Sequence, residues 1–274
     1  MDIRSTLTLN NQVEIPRFGL GVFRAPDGEE TYNAVRYALE AGYRHIDTAA
    51  FYQNEASVGK AIRESGIPRE DIFVTTKLWN EDMRQGTQLE AFRKSLSLLG
   101  LSYVDLYLAH WPVREKIAET WTIMEGIYKA GGARAIGISN YQTRDIDTVL
   151  AIAEVIPAVN QIELHPLLTQ EDVVAYSRSK NIAIQVWSPL ARNHLMENPL
   201  LLALAEKYSK TVAQVILRWD LDQGYVVFPK STRKERIIEN ADIFDFALTP
   251  EEIKEIGGLN QNRRTGSDPD TFTF

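Results

Sequence analysis

Four residues of this 274-residue chain have side chains suited to moving a proton: Asp47, Tyr52, Lys77 and His110. Asp47 ends a short β-like segment, and Tyr52 follows within the stretch GYRHIDTAAFYQNE, residues 42–55. Lys77 and His110 each come at the end of a further apolar run. A phenol with an unperturbed pKa near about 10 becomes a better acid and a reversible proton carrier beside an ammonium, which stabilises the phenolate. Asp47 would hold the lysine in place and keep it charged, while His110 could hydrogen-bond a carbonyl and fix its direction. The set suits protonation of an alkoxide as it forms. It contains no clear nucleophile. His45, His110, His165 and His194 lack ligand spacing, so no metal is expected and a metal-dependent hydrolase is disfavoured.

An alkoxide forming from a carbonyl needs a hydride, which no side chain supplies, so a nicotinamide cofactor is the natural inference. No GxGxxG fingerprint is present. The candidate phosphate site is instead PKSTRKER, residues 229–236. Thr232 and Glu235 have capping-box spacing, which predicts a helix start whose free N–H groups join Lys230, Ser231 and Arg236 around an anion. The same run taken alone also reads as an exposed basic helix.

These residues need a scaffold that gathers strand ends. Strand-like segments are expected at Phe18–Phe23 and near residues 45–47, 72–76, 104–108, 135–138, 159–162, 183–186 and 225–228. Helical patterns lie between them, among them Glu29 to Leu39, Asn54 to Glu64 and a segment opened by a Thr87–Glu90 capping box. Asn198-Pro199 starts one helix in the longest interval, and Thr211 to Leu221 makes another. Eight short, mostly buried strands alternating with helices imply parallel βα units and a closed (β/α)8 barrel. A short N-terminal hairpin, with strands at 7–9 and 13–15, precedes it, and an extra C-terminal helix and loop follow. No linker divides the chain, so residues 1–274 are expected to form one barrel domain. In such barrels function sits at the carboxyl ends of the strands. Here those ends read Gly21-Val22-Phe23, Asp47, Lys77-Leu78-Trp79, His110-Trp111, Ser139-Asn140, Gln161, Trp187-Ser188 and Lys230-Ser231.

Taken together, GLGVF, GYRHIDTAAFYQNE, TTKLWN, LYLAHWP, AIGISN, NQIELHP, WSPL and PKSTRKERIIEN resemble the aldo-keto reductase family over nearly the whole chain. The similarity is to its bacterial 2,5-diketo-gluconate reductase and protozoal prostaglandin F synthase-like branch. The resemblance implies a catalytic tetrad of Tyr52, Asp47, Lys77 and His110, with Tyr52 as the general acid. It implies that Trp187 stacks on nicotinamide, that Ser139, Asn140 and Gln161 bond its carboxamide, and that Ser188 and Leu190 contact the pyrophosphate. Gly21 and Val22 join the cofactor contacts. Lys230, Ser231 and Arg236 would hold a 2′-phosphate, and Glu239 and Asn240 the adenine, with Thr232 also among the cofactor contacts, so NADPH/NADP+ is the expected cofactor. Phe23, Phe51, Trp79 and Trp111 would line the substrate pocket, with Phe272 and Phe274 as lids. Two departures stand out: a short segment after His110-Trp111-Pro112, implying a relatively open pocket, and Ala191-Arg192-Asn193 where relatives carry a glycine-rich sequence.

The expected activity is NADPH-dependent reduction of aldehydes and ketones: small dicarbonyls, aromatic aldehydes and keto-sugars. The alternatives are a reductase dedicated to one sugar or ketoacid, and a cofactor-binding sensor with little turnover. Net charge is −7, from 30 basic and 37 acidic residues, which argues against nucleic acid or anionic membranes as partners. The chain has no cysteine, no apolar signal core and no long apolar run. A cytoplasmic monomer acting on a small-molecule carbonyl substrate is expected.

Overall fold

A hairpin of β1 (Thr6–Thr8) and β2 (Glu14–Pro16) leads into eight strands. These are β3 (Leu20–Gly21), β4 (His45–Asp47), β5 (Phe73–Leu78), β6 (Val104–Ala109), β7 (Ala133–Ser139), β8 (Val159–Glu163), β9 (Ala183–Trp187) and β10 (Val226–Val227). The structure is a computed structural model that describes residues 1–272; Phe274 lies outside the described residues. Around the strands lie α1 (Glu29–Glu40), α2 (Glu55–Glu64), α3 (Asn80–Gln85), α4 (Gln88–Leu99), α5 (Ile117–Lys129) and α6 (Thr143–Leu150). They continue as α7 (Glu171–Ser179), α8 (Pro199–Tyr208), α9 (Val212–Asp222), α10 (Lys234–Ala241) and α11 (Pro250–Gly257).

Strands β3 to β10 pair in chain order, each parallel to the next. Two parallel bridges, Phe18 with Val227 and Gly21 with Lys230, join the first strand region to the last and close the expected (β/α)8 barrel. Gly19 N–H donates to the Val227 carbonyl at 2.9 Å and Gly21 N–H to Pro229 at 3.2 Å. Strands β5 and β6 are buried at every position, as expected when helices cover one face and the barrel interior the other. Thr31, Ala34, Val35, Ala38 and Leu39 of α1 are buried with the three-and-four spacing of one helical face. A smaller cluster fills the barrel interior with Leu106, Leu108, Ala135, Val159 and Val226; it also takes in Leu9 and Ile15 from the hairpin region. The hairpin thus plugs the amino end and leaves the carboxyl end as the open mouth.

Two expected caps do not form. The Thr87 hydroxyl donates back to Asp82 at 3.1 Å rather than capping α4, because the short α3 runs immediately before it and ends at Gly86. Helix α10 starts at Lys234 with Arg233 as its cap residue, and the nearby Ser231 Oγ accepts the Arg233 N–H at 3.2 Å, so the Thr232–Glu235 box is absent. By contrast, Asn198 caps α8 ahead of Pro199, and Thr211 forms a complete box with Gln214 at α9.

Helix α2 meets the end of α4 at Gly59, where an added Cβ would lie 2.0 Å from the Leu99 carbonyl oxygen. Alanine gains about 1 kcal/mol of helix propensity over glycine, but a backbone clash of this size forces the helices apart at greater cost. Gly59→Ala is therefore expected to lose about 1–2 kcal/mol net, read as a lowered urea midpoint. An unchanged midpoint would contradict this packing.

Candidate active site

Strand register assembles the proton-bearing residues. Asp47 pairs with Thr75, so Lys77, two residues on and facing the same side, projects beyond Asp47 toward the mouth. Its ammonium donates to Asp47 Oδ1 at 2.6 Å, to the Thr48 carbonyl at 2.8 Å and to the Tyr52 phenol oxygen at 3.3 Å. Tyr52 sits on a single helical turn, Ala50–Tyr52, directly after β4. The phenol oxygen accepts from Lys77, so its own hydrogen is left to face the cavity. His110 follows β6, its ring centroid 5.7 Å from that of Tyr52.

Burial dominates the electrostatics. Lys77 is fully buried, and desolvation lowers its pKa despite the opposing pull of Asp47. The Asp47 carboxyl is raised by burial, with Lys77 and Gln161 opposing. Burial pushes the Tyr52 phenol well above 10, and the charge on Asp47 adds to the rise. This corrects the expectation that Lys77 lowers it: at 2.6 Å Asp47 offsets the ammonium's field, and desolvation decides the sign. Tyr52 is thus a protonated donor. Burial, then Lys77, hold His110 well below its ordinary value, so its imidazole is neutral.

A cavity of about 650 Å³ opens at the mouth. It is lined by Asp47, Tyr52 and His110 together with Gly21, Phe23, Phe51, Trp79, Trp111, Ser139, Asn140, Gln161, Trp187, Ser188, Leu190 and Lys230. Phe51 stacks on Trp79 at 3.9 Å. Trp187 Nε1 donates to Asn140 Oδ1 at 2.8 Å, and Asn140 Nδ2 donates to the His110 carbonyl and to Ser139 Oγ, each at 3.0 Å. Gln161 gives its amide hydrogens to Asp47 and Gln185, presenting its carbonyl oxygen as the remaining acceptor. Val22 does not reach the cavity: its side chain is in the core, and its N–H donates to the Asp47 carbonyl at 3.1 Å. Ser231, Thr232, Arg236, Glu239 and Asn240 lie beyond the cavity, on and before α10, whose N-terminus carries no side-chain cap.

Sequence reasoning missed the device over this mouth. Glu163, the last residue of β8 and fully buried, accepts from Thr265 N–H and Oγ1 at 2.6 Å each, Gly266 N–H at 2.9 Å and His165 Nε2 at 3.1 Å. Burial would raise its carboxyl, but hydrogen bonds from His165 and Thr265 hold it below the ordinary value. Farther along, Asp270 accepts from Arg114 and Arg144, and Phe272 stacks on Trp111 at 4.1 Å and lines the cavity. The loop after Trp111 is short as read, with α5 starting at Ile117, but this C-terminal strap covers its side of the pocket. The only sequence signal for Glu163 was its place two residues after Gln161 on the same strand face. Ala191, Arg192 and Asn193, the departure from the glycine-rich pattern, all hold left-handed backbone with φ of 46°, 50° and 69°.

Comparison with known proteins decides the lineage. The family model described as "Aldo/keto reductase family" matches residues 17–261. This chain belongs to the aldo/keto reductase family. The enzyme is 50% identical over 272 residues to a glyoxal reductase of Bacillus subtilis, covering 99% of each chain. It is 44% identical over 262 residues to the methylglyoxal reductase DkgA of Escherichia coli, covering 94% of each. Among solved structures, a Bombyx mori aldo-keto reductase in complex with NADP is similar with a TM-score of 0.91 at 40% identity, over 98% of this chain and 97% of that one. This aldo/keto reductase is therefore a carbonyl oxidoreductase.

Its buried histidines make stability acid-sensitive. Burial pushes His45 down to about 3, while an unfolded histidine takes its proton near about 6.5. Between those values the unfolded chain binds more protons, so stability falls as pH drops, by about 1.4 kcal/mol per unit for this one group. Denaturant melts of His45→Gln should show a slope shallower by that amount between about pH 6 and 4. Parallel wild-type and variant slopes would rule this out.

Proposed function

We propose that the enzyme uses NADPH to reduce aldehydes and ketones, small dicarbonyls, aromatic aldehydes and keto-sugars among them, with Tyr52 as the general acid. The observation that carries this reading is the phenol of Tyr52. It is protonated, its oxygen is held by Lys77, and it faces the cavity beside a neutral His110. The bound dinucleotide would supply the hydride.

The residues present fit that cofactor. Trp187, held by Asn140, offers a flat face at the end of β9; Ser139, Asn140 and Gln161 bring polar atoms to the same wall. Ser188 and Leu190 share the cavity lining with Lys230 and Gly21, whereas Val22 lies behind it and makes no cofactor contact of its own. The uncapped first turn of α10 leaves N–H groups for a 2′-phosphate, with Lys230, Ser231, Thr232 and Arg236 around it and Glu239 and Asn240 for the adenine. The Bombyx mori relative's complex with NADP supports this choice.

In the reduction, His110 orients the carbonyl oxygen and Tyr52 delivers its proton as negative charge grows there. Lys77 then stabilises the phenolate left behind. Phe23, Phe51, Trp79, Trp111 and Phe272 exclude water and pack the rest of the substrate. The glyoxal and methylglyoxal reductases among the relatives support small dicarbonyls as substrates. We also take the chain, 1–274, as one domain working as a monomer, since all the residues named come from one chain. A cytoplasmic setting suits a cysteine-free chain.

Tyr52→Phe is expected to lower kcat for methylglyoxal by about 10²–10⁴ while keeping NADPH affinity, measured by NADPH absorbance and by fluorescence titration. Near-normal turnover would sink the assignment. Arg236→Ala should weaken NADPH by about tenfold or more and leave NADH almost unchanged. Equal losses for the two cofactors would remove the phosphate role.

A further inference from the structure

Glu163 is a buried carboxylate that the proposed chemistry does not use, yet it gathers hydrogen bonds from two consecutive residues of a segment 102 and 103 positions away. What those bonds hold in place is Gly266. Its φ lies outside the left-handed region, so backbone conformation does not require glycine there. Space does. A Cβ at this position would lie 2.4 Å from Cη2 and 2.8 Å from Cζ3 of Trp187, and 3.3 Å from Glu163 Oε2. The main chain of the strap therefore rests directly on the indole.

Trp187 is gripped at both ends as a result. Asn140 holds the pyrrole N–H at 2.8 Å, and Gly266, suspended from Glu163, bears on the far side of the six-membered ring. Both supports are rigid: Asn140 is tied to the His110 carbonyl, and Glu163 sits on a strand whose register pairs it directly with Trp187. Neighbouring contacts reinforce the anchor: Gln261 and Arg263 N–H both donate to the Leu167 carbonyl, and Arg264 Nη2 donates to Gln170 at 3.0 Å.

We propose that Glu163 and Gly266 are positioning residues for the nicotinamide: by pinning the strap against Trp187, they fix the indole on which that ring stacks. The C-terminal strap thereby controls cofactor affinity through one end, Glu163–Gly266, separately from its other end, where Asp270 pairs with Arg114 and Arg144 outside the cavity and Phe272 lines the substrate wall. The inference rests on the NADPH reading above and deepens it.

The test compares binding of NADPH with binding of 2′,5′-ADP, which carries the phosphate and adenine but no nicotinamide. Wild type, Glu163→Gln, Gly266→Ala and Asp270→Ala are titrated with each, following tryptophan emission and, for NADPH, energy transfer to the dihydronicotinamide. Glu163→Gln and Gly266→Ala should each weaken NADPH by about tenfold and alter its energy-transfer signal, with 2′,5′-ADP affinity held within about twofold. Asp270→Ala frees the far end of the strap and should leave NADPH affinity unchanged. Glu163→Gln keeps shape and volume, so it serves should the bulkier Gly266 variant fail to fold. Wild-type NADPH affinity in both anchor variants would overturn the proposal, as would an equal loss of 2′,5′-ADP, or an equal effect of Asp270→Ala. Failure of the wild type itself to bind NADPH would instead overturn the cofactor reading on which it rests.

Discussion

The ion pair between Lys77 and Asp47 is the contact on which the site depends. Both groups are withdrawn from water, and burial works against the charged form of each. A buried pair of this kind is poor evidence for net stability; removing one partner typically costs about 3–5 kcal/mol because the other is left uncompensated. Its value is positional. One ammonium, fixed by Asp47 and the Thr48 carbonyl, has a third hydrogen bond that finds the Tyr52 oxygen. The phenol oxygen is thereby held in place at the cavity wall.

The pair is also the end of a longer polar chain inside the barrel. Asp47 takes a hydrogen bond from Gln161, Gln161 from its other hydrogen bonds Gln185, Gln185 approaches His45 at 3.4 Å, and His45 meets Thr75 at 3.1 Å. Four strands contribute, each through residues that face inward by register. A low-polarity interior makes such a network strict, because any group left without its partner is costly. Below this layer the interior is apolar and closed by the hairpin; above it lie aromatic walls. The Lys77–Asp47 pair thus lies in a polar layer between an apolar base and an aromatic-walled mouth.

Much of this could be read from the chain. Asp47, Lys77 and His110 each follow an apolar run, so the strand ends were visible, and their convergence followed from the barrel order. Local signals served where local physics governs, as at Asn198-Pro199 and Thr211–Gln214. They failed where a neighbour outbid them: Thr87 turns back to Asp82 because α3 precedes it, and Ser231 accepts the Arg233 N–H at a helix start where Thr232 had the better motif. The pKa of Tyr52 was misjudged for a physical reason, since spacing reports which charges are near but not how much water is gone. Glu163 and Gly266 were illegible because each has meaning only through partners far along the chain: Thr265 for the one, Trp187 for the other.

The seam of the barrel carries a consequence for how the molecule is made. Phe18 and Gly21 find their partners at Val227 and Lys230, near the opposite end of the chain. As the polypeptide emerges from its amino end, β3 can join β4 early but must wait through most of synthesis for its other neighbour. An unpaired edge invites the wrong partner, and short edge strands are a known defence. Both strands flanking the seam, β3 and β10, are two residues long, against six or seven in β5, β6 and β7. The barrel is zipped at its briefest strands, so the growing chain exposes little template while it waits to become a ring.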